Sequence, residues 1–432
     1  MNKPGYMKTF VCSMGVLGAS SGWALTPQLP QILYGTSTPV SSSNQFALAA
    51  TLPEGNDPRS HYVVIAEVDD ANSLNVLAWQ DTTTSLELLS GVGLTKYSGV
   101  VTVAAAGLDP YRVVTADVDV NGTLSLNTWG VEESGVTWQA GSRTAEQTAL
   151  PSNVSIAAIG GSEVVVAYVS ASSGYPIVQA WTIAADGFAT ANPVVGTEPL
   201  PTDQISVAAI NTNRVVTAAE TAETFIVTTW KVDSTGVTQL NQVISEGAVS
   251  SACGANPRQQ NFAVAAGETF RLTAVPPFVS FLKAAFTPVL NPLCQLQDYY
   301  WGISTGGTLT LESTTPPLGS YSYAEVAASM LPNNIPITSY AVESGTGFGD
   351  VFIDWYTGSG ATGTTATYNN PSSGALAVDS VSTGTDANFH SFFSPYNAYF
   401  VSAGQFDSFS SSGGLIVIKV LSYPEPPLFL GP

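Results

Sequence analysis

The amino-acid sequence predicts an all-β protein, a seven-bladed β-propeller of four-stranded blades whose ring is closed by an N-terminal strand. Three observations predict it. Tryptophans recur at Trp79, Trp129, Trp181, Trp230, Trp301 and Trp355, at intervals of 50, 52, 49, 71 and 54 residues. Alanines at Ala66, Ala116, Ala167 and Ala218 keep step with them at intervals of 50, 51 and 51. Each period holds four short apolar runs, in one case ISVAAI (205–210), RVVTAAE (214–220), FIVTTWKV (225–232) and VTQLNQV (237–243). Four strands every roughly 40–50 residues is the pattern of a propeller blade.

The stretch RVVTADVDVNGTLSLNTW (112–129) shows the unit most plainly. Val113, Val114 and Ala116 form one strand, Asn121-Gly122 the turn, and Leu124, Leu126 and Trp129 the next strand. One such hairpin cannot bury its own apolar face, so neighbouring units must pack together. The expected innermost strands, VTVAAAG, VSIAAIG, ISVAAIN and FAVAAG, are rich in small residues, as convergence on a narrow channel requires. The tryptophans are expected in the seams between blades, each indole nitrogen bonding a neighbouring carbonyl.

Blades are expected to start near residues 46, 100, 153, 204, 260, 322 and 388. The 71-residue interval is read as an insertion of about 20 residues where VPPFVSFLKAAFTPVLNPLCQLQDYY interrupts the fifth unit. The last unit offers only three strands before Pro424-Glu425-Pro426-Pro427. Its missing outer strand is assigned to residues 31–37, QILYGTS, which would lie beside Leu415–Leu421 and cover an open sheet edge. Six or eight blades, or two β-sandwiches, remain as alternatives.

Residues 1–24 read as a signal peptide: Lys3 and Lys8, then an apolar run from Phe10 to Leu17, then small residues ending at Ala24. Met7 serves equally well as its start. The apolar run is too short for a membrane anchor, which needs about 20 residues, and Thr9-Phe10-Val11 before Cys12 is not a lipobox. Residues 25–432 are then one propeller domain, secreted, periplasmic or held at the cell surface, with no membrane span. Without Lys3 and Lys8 the 12 basic residues become 10, against 32 acidic ones. So acidic a chain disfavours nucleic acid and anionic membranes as partners. Cys253 and Cys294, the cysteines left in the mature chain, are expected to form a disulfide in an oxidising compartment.

Catalytic constellations are scarce. The only histidines are His61, read as a loop residue beside Arg59, and His390, set among Phe389, Phe392, Phe393 and Tyr396. No Gly-x-Ser-x-Gly elbow and no phosphate-binding Gly-rich loop is present. Carboxylates carry the one spatial argument. Turns between second and third strands fall on one face of a propeller, and they hold Asp69, Asp70, Asp119, Glu220, Glu223, Glu343, Asp350 and Asp407. Such acids serve as turn formers and solubilising charge, or they bind a cation, a sugar or a basic partner.

The repeats, over roughly residues 31–424, resemble those of secreted bacterial β-propellers in spacing and pattern. The WD40, sialidase and kelch signatures are absent, so the resemblance implies a fold and no site residues. Asp119-Val120-Asn121-Gly122 resembles part of the calcium loop of integrin-type repeats without its full DxDxDG pattern, and a bound Ca2+ is compatible with it. No other cofactor is expected. Two function classes follow: a monomeric, non-catalytic module that binds an extracellular protein, glycan or cation, and a glycan-active hydrolase or lyase using two carboxylates across the mouth.

Overall fold

The computed structural model describes residues 31–423, apart from 41–44, 52–61, 70, 83, 90–91, 146, 203, 222–223, 247–261, 273–278, 291–294, 316–321, 332–334, 344–349, 358–360, 363–365, 370–374, 383–397 and 408–413. Side chains are described as far as Tyr340. The signal peptide, Cys253, Cys294, His61 and His390 lie outside the described residues.

All regular structure among the described residues is strand. The first is β1 (Gln31–Val40), which belongs to the last sheet. The first unit then follows as β2 (Phe46–Ala50), β3 (Tyr62–Val68), β4 (Ser73–Asp81), β5 (Leu86–Leu88) and β6 (Val92–Ser98). Next come β7 (Val100–Asp109), β8 (Arg112–Asp119), β9 (Leu124–Glu132) and β10 (Gly135–Arg143), then β11 (Ala149–Gly160), β12 (Glu163–Ser170), β13 (Pro176–Ile183) and β14 (Ala189–Thr197). The fourth unit is β15 (Gln204–Asn211), β16 (Arg214–Glu220), β17 (Thr224–Asp233) and β18 (Gly236–Glu246), and the fifth β19 (Ala265–Leu272), β20 (Val279–Leu290), β21 (Leu296–Ile303) and β22 (Leu309–Thr314). The remainder is β23 (Ser322–Leu331), β24 (Ile335–Glu343), β25 (Asp350–Thr357), β26 (Ala361–Thr362), β27 (Ala366–Asn369), β28 (Ala375–Ser382), β29 (Ala398–Asp407) and β30 (Gly414–Tyr423).

Within the units the strands pair antiparallel, in sequence order in β7-β8-β9-β10 and β19-β20-β21-β22, while in the first unit β4 pairs both β5 and β6 and in the sixth β25 pairs both β26 and β27. The units of β11–β14 and β15–β18 join into one sheet through a single parallel bridge, Val194 to Gly236. The first strands touch one another around a cycle: β2 meets β7, β7 meets β11, and so on through β15, β19, β23 and β28, which returns to β2. Meanders arranged radially in this way form a β-propeller. The inner strands sit very close: a Cβ on Gly107 of β7 would fall within bonding distance of the Ala50 carbonyl oxygen in the neighbouring unit, so only glycine fits there. Side chains also tie the inner ring, since Val207 N donates to Ser155 Oγ at 3.0 Å and Val264 N to Ser206 Oγ at 3.2 Å.

The last sheet has the order β1-β30-β29-β28, so the N-terminal strand does supply its outer edge. Gln31 lies opposite Ser422, Ser37 opposite Val417 and Val40 opposite Gly414, with a bulge between Ile32 and Tyr34. The intervening Leu33 is 39% exposed, and the Tyr34 side chain lies outside the described residues.

Two expectations are corrected. The segment 279–290 does not interrupt the fifth unit: it is β20, the unit's own second strand, paired with β19 and β21. With 12 residues where β16 has 7, it accounts for part of the long interval. The last sheet begins with β28 at Ala375 and not near 388, because AYFVSAGQFD (398–407) is its second strand. In both places the strand lengths depart from the period set by the other units.

The tryptophans occupy the seams. Trp129 packs in one cluster with Val64, Ala66, Val76 and Ala78 of the preceding unit, Trp181 with Val114 and Ala116, Trp230 with Val165 and Ala167, and Trp301 with Val216 and Ala218. Trp79 is also buried, and the Trp355 side chain lies outside the described residues. At the seam of the fourth and fifth units, Phe225 meets Tyr299 edge to face, with ring centroids 4.7 Å apart.

Candidate functional site

Site geometry begins with the turns between second and third strands. Asp119 Oδ1 accepts hydrogen bonds from Asn121 N and Thr123 N, each at 2.9 Å, and Oδ2 accepts from Arg143 Nη2 at 2.7 Å. Asp69 repeats the arrangement: Oδ1 accepts from Ala71 N at 2.9 Å and Ser73 N at 2.7 Å, and Oδ2 from Asn75 Nδ2 at 3.2 Å. In both turns the residue three after the aspartate takes a left-handed conformation, Asn72 at φ 56° and Gly122 at φ 74°. Asn and Gly tolerate that region best. The loop is therefore the three residues Val120, Asn121 and Gly122 between Asp119 and Thr123, longer than the expected two-residue turn.

Backbone bonds link these turns into a belt. Asn72 O accepts from Gly99 N and Val100 N, and Gly99 O accepts from Val120 N of the next turn. Gly122 O likewise accepts from Thr148 N and Ala149 N, while Thr148 O accepts from Ala171 N. One step further, Gly174 O accepts from Thr202 N. Each turn is thus tied to the connector that follows it, and two of these connectors are tied in turn to the next blade.

The candidate acids separate accordingly. Asp119 and Glu220 are buried, each 3% exposed, and Asp69 is partly buried, so these three do not form an open ring of charge. Asp70 and Glu223 lie outside the described residues. Glu343 ends β24, Asp350 begins β25 and Asp407 ends β29; their side chains also lie outside the described residues.

Among the described residues, sequence reasoning missed five buried acids, Glu67, Asp81, Asp117, Glu198 and Asp298. Asp117, 1% exposed, lies on the same face of β8 as Asp119 and accepts from Asn127 Nδ2 at 2.8 Å, while Asn127 Oδ1 accepts from Trp138 Nε1 at 3.2 Å. Burial pushes the Asp117 carboxyl up to about 7; the Asn127 bond and the Arg143 charge oppose this, and the Asp119 charge adds to it. Glu198, fully buried in the connector after β14, accepts from Thr217 Oγ1 at 2.7 Å and from Thr228 Oγ1 and Gln242 Nε2, each at 2.8 Å. Burial raises its pKa against the pull of those three bonds.

Thr217 also accepts from Trp230 Nε1 at 2.8 Å, as Thr115 does from Trp129 Nε1 at 3.0 Å. The indole partner is thus a hydroxyl of the same blade and not the expected neighbouring carbonyl. A signal for it exists in the pentapeptide RVVTA, which occurs at both 112–116 and 214–218. The third unit has Val166 at the position of that threonine, and Trp181 Nε1 has no partner among the described residues.

Asp117 gives a pH prediction. Its folded-state pKa is raised above 3.8, so the native state binds the proton more tightly and stability falls as pH rises from about 4 to about 7. The loss is up to about 1.4 kcal/mol per pH unit in that window. Asp117→Asn keeps an acceptor for Asn127 and removes the charge. Chemical denaturation from pH 4 to 8 should show a flatter profile for the variant and a variant at least as stable as wild type at pH 8.

No family model matches the chain, and no curated protein does. Solved structures similar to it include AofleA from Arthrobotrys oligospora, at 10% identity over 78% of this chain and 90% of that one, with a TM-score of 0.49. The fucose-specific lectin from Aleuria aurantia is 12% identical over 80% of this chain and 97% of its own, with a TM-score of 0.44. Sqt1 from Saccharomyces cerevisiae is 11% identical over 92% and 100%, with a TM-score of 0.47. Among the described residues no group of three or more His, Cys, Asp or Glu could hold a metal ion, and no helix is long and apolar enough to cross a membrane.

Proposed function

We propose that the chain is an exported, seven-bladed propeller that acts as a non-catalytic binding module for an extracellular protein or glycan. The cycle of first strands from β2 to β28 supports the count of seven, and the unit-by-unit meanders support one blade for each. The observation that carries the binding role is the fate of the turn-face acids. Asp69 and Asp119 spend their oxygens on their own turns and on Asn75 and Arg143, so these acids build the face and are not aimed at a reacting group. Among the described residues, the belt exposes Val120, Asn121, Ser172, Ser173 and Leu200 around them, with Arg143 as the exposed charge held against Asp119. A face that exposes mainly small polar and apolar side chains, on a chain with 32 acidic against 12 basic residues, suits a glycan or a protein surface better than a nucleic acid.

The enzyme reading has one observation in its favour. Asp117 and Asp119 pair an acid raised to about 7 with a second carboxylate two residues away, the electrostatic pattern of a glycosidase. Both are nearly fully buried, which leaves a sugar no approach to them. Two measurements on the mature chain decide the matter: a glycan array read for retention, and incubation with the same glycans read for released reducing ends. Retention without release supports the binding module. Release that disappears in Asp117→Asn would overturn it in favour of the hydrolase.

A further inference from the structure

The sequence contains two Asn-x-Ser/Thr triplets without proline at the middle position, Asn121-Gly122-Thr123 and Asn153-Val154-Ser155. This triplet is the acceptor pattern for N-linked glycan in exported chains. The two sites have opposite surroundings. Asn121 is exposed at the tip of its turn, between Val120, 58% exposed, and Gly122. Its backbone holds the turn, with N bonded to Asp119 Oδ1 and O to Gln147 N, while its carboxamide bonds no described residue. Asn153 is 4% exposed on an inner strand, and its Oδ1 accepts from Ile205 N of the adjacent blade at 2.9 Å. A sugar on that nitrogen would have to occupy the seam where two inner strands meet.

We infer that Asn121 is an N-glycan acceptor of this protein and that Asn153 is not. The donor class is an oligosaccharide carried on a lipid pyrophosphate. Asn121 Nδ2 forms a bond to the anomeric carbon of the first sugar, the bond from that carbon to the pyrophosphate oxygen breaks, and the lipid pyrophosphate leaves with the electron pair. One amide proton passes to a base of the transferase. The glycan then stands on the turn face at the second blade, where the Asp119 loop needs only the Asn121 backbone for its own bonds. The inference rests on the export proposed above.

The test expresses the full chain in a secreting yeast in two forms, one with its own residues 1–24 and one with a leader taken from a secreted yeast protein. Secreted material is treated with a peptide amidase that removes N-glycans and converts the carrying Asn to Asp, and its peptides are read by mass spectrometry. Conversion at Asn121 and none at Asn153, with the electrophoretic shift lost in Asn121→Gln, is the expected result. Conversion at Asn121 with the yeast leader only would uphold the site and count against the export role of residues 1–24. Folded, secreted protein with an unconverted Asn121 under the yeast leader would overturn the assignment, and so would conversion of Asn153 in that folded fraction.

Discussion

Removal of residues 25–40 should leave a chain that aggregates or loses its cooperative melt, the largest effect expected of any change here. The reason is geometric. β1 supplies the outer edge of the last sheet through pairs running from Gln31–Ser422 to Val40–Gly414, so this strand pair joins segments more than 370 residues apart and adds to the contact of β28 with β2 that closes the inner cycle. Without it, β30 presents LIVIKVL (415–421) as an open edge with unpaired N–H and C=O groups. A long apolar edge of that kind is a template for pairing with other chains. The check is size-exclusion chromatography with a thermal melt on the truncated chain. A tail deletion from Pro426 onward serves as control and should behave like wild type. A truncated protein that stays monomeric and melts like the full chain would show that the ring does not depend on this pairing.

Trp230→Ala should destabilise the protein by about 3–5 kcal/mol, the usual cost of emptying a large aromatic site in a core. Trp230 is 1% exposed and packs with Val165 and Ala167 of the neighbouring blade. Gly196 lies so close that a Cβ there would meet the ring at 2.5 Å, so on that side the indole faces backbone. The substitution also removes the donor to Thr217, whose hydroxyl is bonded to buried Glu198. Trp230→Phe separates the two effects: it keeps most of the ring volume, and the lost hydrogen bond alone should cost about 1 kcal/mol. Urea denaturation of both variants distinguishes them. A Trp230→Ala protein with wild-type stability would show that this side chain does not seal the seam.

Much of the architecture could be read from residues alone because it depends on periodic, local properties. The Trp and Ala spacings mark the units, and Ala-rich inner strands follow from a ring too narrow for larger side chains. An unpaired segment at each end of the chain was enough to place β1 beside β30. Periodicity fails where strand lengths vary: against one period β20 reads as an insertion and the last sheet as starting near 388, where the strands begin at Ala375.

The candidate site was less legible. A turn sequence reveals that Asp69 and Asp119 sit on one face, but not whether their oxygens point to solvent or back to the chain. That depends on the left-handed residue at Asn72 or Gly122 and, for Asp119, on Arg143, 24 residues away. Glu198 gave no signal, since the donors that hold it come from three strands of the next blade. The sequence by itself determined the unit, its repetition and the strand that closes the ring, because burial and turn formation act over neighbouring residues. Which acids are buried, which acceptor each indole nitrogen bonds and which of two equal acceptor triplets faces solvent were decided only by tertiary structure, because each depends on a partner in another strand or another blade.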